Sequence, residues 1–395
     1  MTNNLKIGIN KINFYTTPQY IDMVDLAHAR DEDPNKYLIG IGQSRQAVIP
    51  NTQDAVTLAA NAAEPILSSA DRQKIDLIVF GTENGVDNSK SAAIYLQHLL
   101  RLSNHARAFE VKQACYGATA GLQIAVDYLN NHPEREALVI GSDIARYGLK
   151  TPGEVTQGGG AVAMVVSAHP RIITLNGPSA FYSKDIMDFW RPLGKTNALV
   201  DGHYSNDIYV NFFKKTFASY LKKTGLRLAD FKAIIFHLPY SKMGLKGLRT
   251  VLPKASSAQR QTLLNEFHAS AANCRMVGNL YTGSLYLSFE SLIDRSGDLR
   301  PGDRIGFFSY GSGAQGEFYS GILQHGFRNS ARKHRIAAML NHRQRISIQD
   351  YERIYRSWLP VGKNNVILPI NRDPAQFVFG GVKNYRRVYQ RRERK

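Results

Sequence analysis

Two stretches of the chain, IDLIVFGTE at Ile75–Glu83 and KAIIFHLPY at Lys232–Tyr240, align with each other without gaps. Each is a compact apolar run that ends in polar residues, the pattern of a strand buried on both faces of an α/β fold. Similar elements surround both. In the first series KIGIN, from Lys6 to Asn10, reads as a strand, and Asn51 to Leu67 repeats apolar side chains at Val56, Ala59, Ala60, Ala63 and Leu67, one face of a helix. The Ile75–Phe80 strand precedes a helix over Ser89–Leu100 and a longer one with the face Ala118, Leu122, Ala125, Val126 and Leu129. ALVIGSD and AVAMVVSA then supply two strands, with Gly158–Gly160 as the turn leading into the second.

The second series follows about Asp207. It predicts a strand at Ala233–Phe236, a helix in GNLYTGSLYLSFESL, and two strands, DRIGFFSY and EFYSGIL, around GSGAQG. The recurrence in one order predicts two related halves, residues 1–168 and 169–395. A solenoid array would repeat at the shorter period of ~20–50 residues.

Composition narrows the function. The chain has 395 residues, 43% hydrophobic and 21% charged, enough for a sizeable core. Two cysteines, Cys115 and Cys274, make neither a disulfide scaffold nor the C-x-x-C spacing of a structural zinc site. MTNNLKIGIN lacks the apolar stretch of a secretion signal, and no run approaches the ~18–20 apolar residues that span a bilayer. These features predict a cytoplasmic protein in a reducing compartment. No G-x-x-x-x-G-K-[ST] occurs, and no G-x-G-x-x-G lies between a strand and a helix, so nucleotide hydrolysis and dinucleotide binding lack their usual warrants.

The net charge of +18 is localised. Residues 326–395 hold 17 Lys/Arg against 4 Asp/Glu, which is +13 of the total. Such a segment is expected to be a solvated basic end, with attraction of an anionic ligand, RNA or a membrane surface as the alternative. In NYRRVYQRRERK, Tyr385 and Tyr389 interleave with arginines as stacking surfaces for single strands can.

Strands of this kind deliver polar residues to the carboxyl edge of the sheet. Glu83, His237 and Cys115 occupy such edge positions, and they converge if the halves pack about a pseudo-twofold axis. Cys115, in KQACYGATAGLQ, precedes a helix whose N-terminal N–H groups would favour thiolate over thiol, and the small residues around it permit a tight turn. Cys274 lacks such a turn and reads as a buried apolar residue. Partial burial of Glu83 would raise its pKa toward the range useful for proton transfer. His237 can act as a general acid or donate to an oxyanion, and Asn279 can orient a water or donate to a carbonyl. Lys242 and Lys246, four residues apart, would share one helix face toward a polyanion. The glycine loops at Gly158–Gly160 and Gly311–Gly313 could present backbone N–H groups to oxygens.

At these residues the sequence resembles the hydroxymethylglutaryl-CoA synthases of bacterial type, within the thiolase superfamily. The resemblance covers essentially the whole chain. It is carried by GTENGVDNSK, KQACYGATAGL, SDIARYG, GEVTQGGGAVAM, FWRPLG, VDGHYS, HLPYSKMGLK, GNLYTGSLYLS and SYGSGAQGEF in that order. It implies duplicated βαβαβαββ halves in a layered α-β-α-β-α sandwich, assembled as a homodimer. It implies condensation of acetyl-CoA with acetoacetyl-CoA and water to 3-hydroxy-3-methylglutaryl-CoA and CoA, in the mevalonate route to isoprenoids. Cys115 would take the acetyl group, Glu83 would remove a methyl proton, and His237 would assist at the acetoacetyl carbonyl. Acyl-CoA contacts would fall at Asp33, Tyr147, Thr156, Ser205, Lys242, Lys246, Asn279 and Ser312, with no metal and no cofactor beyond the two substrates.

A related β-ketoacyl synthase is the enzyme alternative. Such enzymes make their carbanion by decarboxylation and need no carboxylate base, so Glu83 separates the two readings. The non-enzyme alternative is an RNA- or membrane-binding protein on a decayed scaffold, which an intact Glu83, Cys115 and His237 oppose.

Overall fold

The computed structural model describes residues 5–175, 177–330, 335–359 and 362–393. Its first half contains β1 (Ile7–Tyr15), α1 (Ala55–Ala63), β2 (Ile75–Gly81), α2 (Ala92–Leu99), β3 (Arg107–Val111), α3 (Gly117–Asn131), β4 (Glu136–Ala145) and β5 (Gly158–Ala168). The second half contains β6 (Ile173–Leu175), β7 (Ala180–Ser183), α4 (Gly202–Thr224), β8 (Ala233–Phe236), α5 (Ser241–Arg249), α6 (Ser284–Arg295), β9 (Arg304–Gly311) and β10 (Gln315–Leu323). After these come α7 (Ile348–Arg356), β11 (Asn365–Ile367), β12 (Phe377–Lys383) and β13 (Arg386–Arg391).

The strands of both halves run together into one sheet in the order β8-β9-β10-β6-β1-β5-β4-β2-β3, with β7 paired to β10. Outward from the β1–β6 seam, and leaving aside β7, each side repeats one sequence: first strand, last, next to last, second. The first half adds its third strand, β3, at the edge; the second half has no counterpart to it among the described residues. Pairing is parallel at β3-β2-β4 and β9-β8 and antiparallel between β4 and β9, so the sheet is mixed. The central helices α3 and α6 lie against each other where the Thr119 hydroxyl meets the Tyr286 hydroxyl at 2.9 Å. Each is entered through a residue in left-handed conformation three positions before its first turn, Ala114 (φ 44°) before α3 and Tyr281 (φ 45°) before α6. Two non-glycine residues at positive φ are costly, and both turns border the site described below.

The strand at Ala233–Phe236 appears with the boundaries expected, and Lys242 and Lys246 do lie on one helix, α5. The helix read over Asn51–Leu67 is shorter. Asp54 caps α1 in a reciprocal box with Thr57, and Pro65 falls in a 3₁₀ turn that ends it. Gly158–Gly160 do not form a turn; they open strand β5. A Cβ on Gly158 would stand 2.6 Å from the Val277 carbonyl oxygen, and one on Gly160 would stand 2.7 Å from that of Tyr15. The glycines serve close backbone approach, which in sequence looks the same as a turn. Cys274 is buried, 3.5 Å from the Ser288 hydroxyl.

The basic C-terminal segment is only in part a solvated end: Lys383 to Arg386 are exposed, Tyr385 by 72%, but its strands are folded back onto the first half. β11, β12 and β13 form an antiparallel sheet that closes over α1. Arg387 donates to Asp54 at 2.7 Å and lies 4.0 Å over the Phe379 ring; Arg391 donates to Glu64 at 2.7 Å. The Tyr389 hydroxyl also donates to Asp54, at 2.7 Å, and its ring packs edge-on against Tyr95, so it is no free stacking surface. Arg328 and Arg343 bond backbone carbonyls, while Arg345, Arg353 and Arg356 pair with acids. Arg343 and Arg387 are thus spent inside the fold, whereas Arg345, Arg353, Arg356, Arg386 and Arg391 pair or stand at the surface; residues 394 and 395 of the tail lie outside the described residues.

Asp54 caps a helix with one oxygen and holds Arg387 and Tyr389 with the other. We expect Arg387→Ala to lower stability to urea by about 2 kcal/mol, and Arg386→Ala, on an exposed neighbour, to stay within about 0.5 kcal/mol. Equal effects in the two unfolding curves would refute the clasp.

Candidate active site

Cys115 sits in the turn between β3 and α3, and Glu83 in the turn that follows β2. Parallel pairing of β2 with β3 brings these turns to one edge of the sheet. The Cys115 Sγ donates to the Glu83 Oε1 at 3.1 Å. Asp143, late in β4 and fully buried, fixes the Glu83 turn. One of its oxygens accepts from the Thr82 hydroxyl at 2.8 Å and from the Glu83 and Asn84 N–H groups at 2.7 and 3.2 Å. The other accepts from the Thr282 N–H at 3.1 Å and from its hydroxyl, tying in the turn that leads into α6. Arg191 approaches from the other side and donates to the Glu83 carbonyl.

Burial and the neighbouring Asp143 push the Glu83 carboxyl up to about 8, against partial relief from Cys115 and Arg191. Asp143 is itself pushed up to about 6 by burial, opposed by its hydrogen bonds. The Cys115 thiol is raised well above its ordinary value, first by burial and then by Glu83, Asp143 and Asp188. This corrects the thiolate expected from the helix N-terminus. Desolvation and three carboxylates outweigh the partial charge of the helix end, and the resting sulfur keeps its proton.

The other half supplies the facing wall. Asn279 is buried; its side-chain N–H donates to the Tyr147 hydroxyl at 3.2 Å, and its oxygen accepts from the Tyr281 N–H and the Ser284 hydroxyl. The Asn279 N–H donates to the Thr156 carbonyl at 3.2 Å. Tyr147, Tyr281 and Phe189 meet edge to face and pack with Cys115. His237 directly follows β8, its N–H bonded to the Phe308 carbonyl and its carbonyl accepting from the Tyr209 hydroxyl at 2.6 Å. It is 1% exposed, and burial alone lowers its pKa to about 3, so the ring is neutral. Three residues along β9 from Phe308, Gly311 abuts the Cys115 turn, where a Cβ would lie 2.4 Å from the Gln113 carbonyl oxygen. Gln113 also donates to the Ser312 carbonyl at 3.2 Å. Ser205 donates to Asp188, which accepts in addition from the Tyr310 hydroxyl and the Gly313 N–H.

Three of the residues named from sequence stand at the rim. The π turn of Lys36–Ile41, preceded by exposed Asp33, packs against α5. There Lys242 lies against Gly42, and exposed Lys246 donates to the Tyr240 hydroxyl at 3.0 Å. None of these three is hydrogen-bonded to Cys115 or Glu83. Asp143, Asp188 and Arg191 escaped the reading, although the motifs containing Asp143 and Arg191 were in view. A lone aspartate inside an apolar strand, as in ALVIGSDIA, must be satisfied by several donors, and that was the available signal.

The family model described as hydroxymethylglutaryl-coenzyme A synthase N terminal matches residues 3–170, and its C-terminal counterpart matches 173–275 and 257–357. The chain is 44% identical to a hydroxymethylglutaryl-CoA synthase of Enterococcus faecalis over 98% of its own length and 100% of the relative's. A solved structure titled HMG_CoA synthase complexed with CoA superposes with a TM-score of 0.95 at 40% identity, covering 98% of this chain and 100% of that one. Another, titled MvaS in complex with 3-hydroxy-3-methylglutaryl coenzyme A, gives 0.88 at 34% identity, with 99% and 100% covered. The fold is the mixed α/β thiolase-like fold of these structures.

The charged neighbours make a test. Glu83→Gln removes the negative charge nearest the thiol and should lower its pKa, so Cys115 alkylation by iodoacetamide at pH 8 should quicken. Peptide mass mapping separates Cys115 from Cys274; an unchanged or slower rate would contradict the electrostatic assignment.

Proposed function

The chain belongs to the hydroxymethylglutaryl-CoA synthase family and has that family's condensing acyltransferase activity; from this premise we propose that Glu83, Cys115 and His237 carry out the condensation of acetyl-CoA with acetoacetyl-CoA. The observation that carries the assignment is the 3.1 Å bond from the Cys115 thiol to the carboxyl of half-buried Glu83.

Acetyl transfer needs the sulfur deprotonated. Ionised Glu83 is the adjacent acceptor, and the proton can follow the departing CoA thiolate. Once Cys115 is acetylated its own proton is gone, and Glu83 faces the acetyl methyl group. A thioester sulfur donates little resonance to its carbonyl, so the methyl protons are acidic for an acyl derivative. A base near 8 matches a carbon acid far better than an ordinary carboxylate does. The enolate carbon then adds to the ketone of acetoacetyl-CoA. Neutral His237 has an N–H to offer the developing alkoxide. It holds no second proton at neutral pH, which makes it a hydrogen-bond donor rather than an imidazolium acid. Water finally releases 3-hydroxy-3-methylglutaryl-CoA from Cys115.

Tyr147, Thr156, Asn279, Ser205 and Ser312 are proposed to contact the acyl and pantetheine portions, and Asp33, Lys242 and Lys246 the nucleotide end. The cations at the rim suit the phosphates of CoA. The proposal includes the two halves 1–168 and 169–395, which the repeated strand order and the paired entries to α3 and α6 support. It further includes a homodimer acting in the cytoplasm on the mevalonate route. Among the described residues no helix is long and apolar enough to cross a membrane.

Mass spectrometry of protein exposed to acetyl-CoA alone should find an added acetyl on the peptide containing Cys115, and Cys115→Ser should abolish it. Glu83→Ala should still become acetylated, more slowly for want of the adjacent proton acceptor, and should lose condensation by ~10²–10⁴-fold. Condensation at an undiminished rate in Glu83→Ala would show the base to be wrongly assigned.

A further inference from the structure

The loop 146–157 carries Tyr147 and Thr156, both bonded to Asn279, yet its own anchors lie mainly in α7, nearly two hundred residues away. The Gln157 side-chain oxygen accepts from the Tyr147 N–H at 2.7 Å and from the Gly148 N–H at 3.2 Å. Its amide donates to the Tyr351 hydroxyl at 2.7 Å, and that hydroxyl donates to Glu154 at 3.1 Å. The Tyr355 hydroxyl accepts from the Gly148 N–H at 2.9 Å and donates to Asn197 at 2.8 Å. Arg146 donates to the Tyr355 carbonyl at 3.0 Å while its guanidinium stacks 3.6 Å from the centre of the Tyr355 ring. Arg30 closes the frame with ion pairs of 2.8 Å to Glu154 in the loop and to Glu352 on α7.

The apolar side of α7 tells the same story. Tyr351 is 2% exposed and belongs to a satellite core with Leu26, Tyr37, Val48 and Val155, separate from the main core. That small core also backs the π turn at the rim. Loop and rim therefore share a support that the central sheet does not provide.

We propose that Tyr351 and Tyr355 are positioning residues for the condensation, acting through Tyr147. The two hydroxyls occupy the three polar groups that would let the Tyr147 backbone drift: the Gln157 amide, the Glu154 carboxylate and the Gly148 N–H. Reacting groups held by positioning alone are sensitive to small displacements, and a shift of about 1 Å costs up to ~100-fold in rate. The inference rests on the placement of Tyr147 at the reaction centre given under the proposed function.

Tyr351→Phe and Tyr355→Phe delete single hydroxyls and keep the packing. Each is made in the full chain, alone and in a Tyr147→Phe background. Thermal midpoint is measured, together with kcat and KM for both thioesters. The expected result is that Tyr351→Phe lowers kcat on the order of tenfold, changes either KM by less than about twofold, and lowers kcat no further once Tyr147 is Phe. A fall of equal size in both backgrounds, or a lower midpoint with kcat intact, overturns the proposal. Full kcat in Tyr147→Phe alone would instead remove Tyr147 from the reaction centre, and the proposal with it. Impaired Tyr147→Phe beside unimpaired Tyr351→Phe and Tyr355→Phe would remove only the strap.

Discussion

A buried carboxylate surrounded by donors is the constraint from which the rest of the site follows. Asp143 is fully buried and accepts five hydrogen bonds from residues 82–84 and 282. A charge taken out of water at that depth is tolerated only when donors replace its hydration. The donors here come from two turns in different halves of the chain. Satisfying Asp143 therefore fixes the turn that bears Glu83 against the turn that enters α6, and the turn leading into α3 carries Cys115.

The same carboxylate sets the chemistry. Burial first and its negative charge second hold Glu83 near 8, and burial, then Glu83, with a smaller part from Asp143, keep the Cys115 proton in place. At neutral pH the resting site keeps a proton on the thiol and, for the most part, on the Glu83 carboxyl as well. A thiol so held is expected to react slowly with oxidants and alkylating agents, for which the thiolate is the reactive form. Acetylation removes the thiol proton from this balance and leaves the carboxyl as the titrating group beside the new methyl. His237, neutral through burial, adds a hydrogen bond without adding a second acid.

Legibility from sequence divided along physical lines. The strands Ile75–Gly81 and Ala233–Phe236 and the faces of α1 and α3 could be read because burial imposes periodicity. Glu83, Cys115 and His237 stood out because reactive side chains followed such strands or preceded such helices. Gly158–Gly160 misled, since close packing and turning both call for glycine and one chain alone does not separate them. The state of Cys115 was also misjudged. A helix N-terminus is visible in local sequence, whereas Asp143 and Asp188 act across space. The C-terminal arginines looked solvated for a related reason: their partners, Asp54 and Glu64, lie more than three hundred residues earlier.

The account turns on one carboxyl group whose proton is held in the neutral range by burial beside Asp143. Infrared difference spectroscopy across a pH titration, comparing the intact protein with Glu83→Gln, isolates the protonated-carboxyl stretch of that residue. The account predicts a midpoint near 8 that moves down when Asp143→Asn removes the adjacent charge. A midpoint in the ordinary carboxylate range, or one indifferent to Asp143, would contradict it.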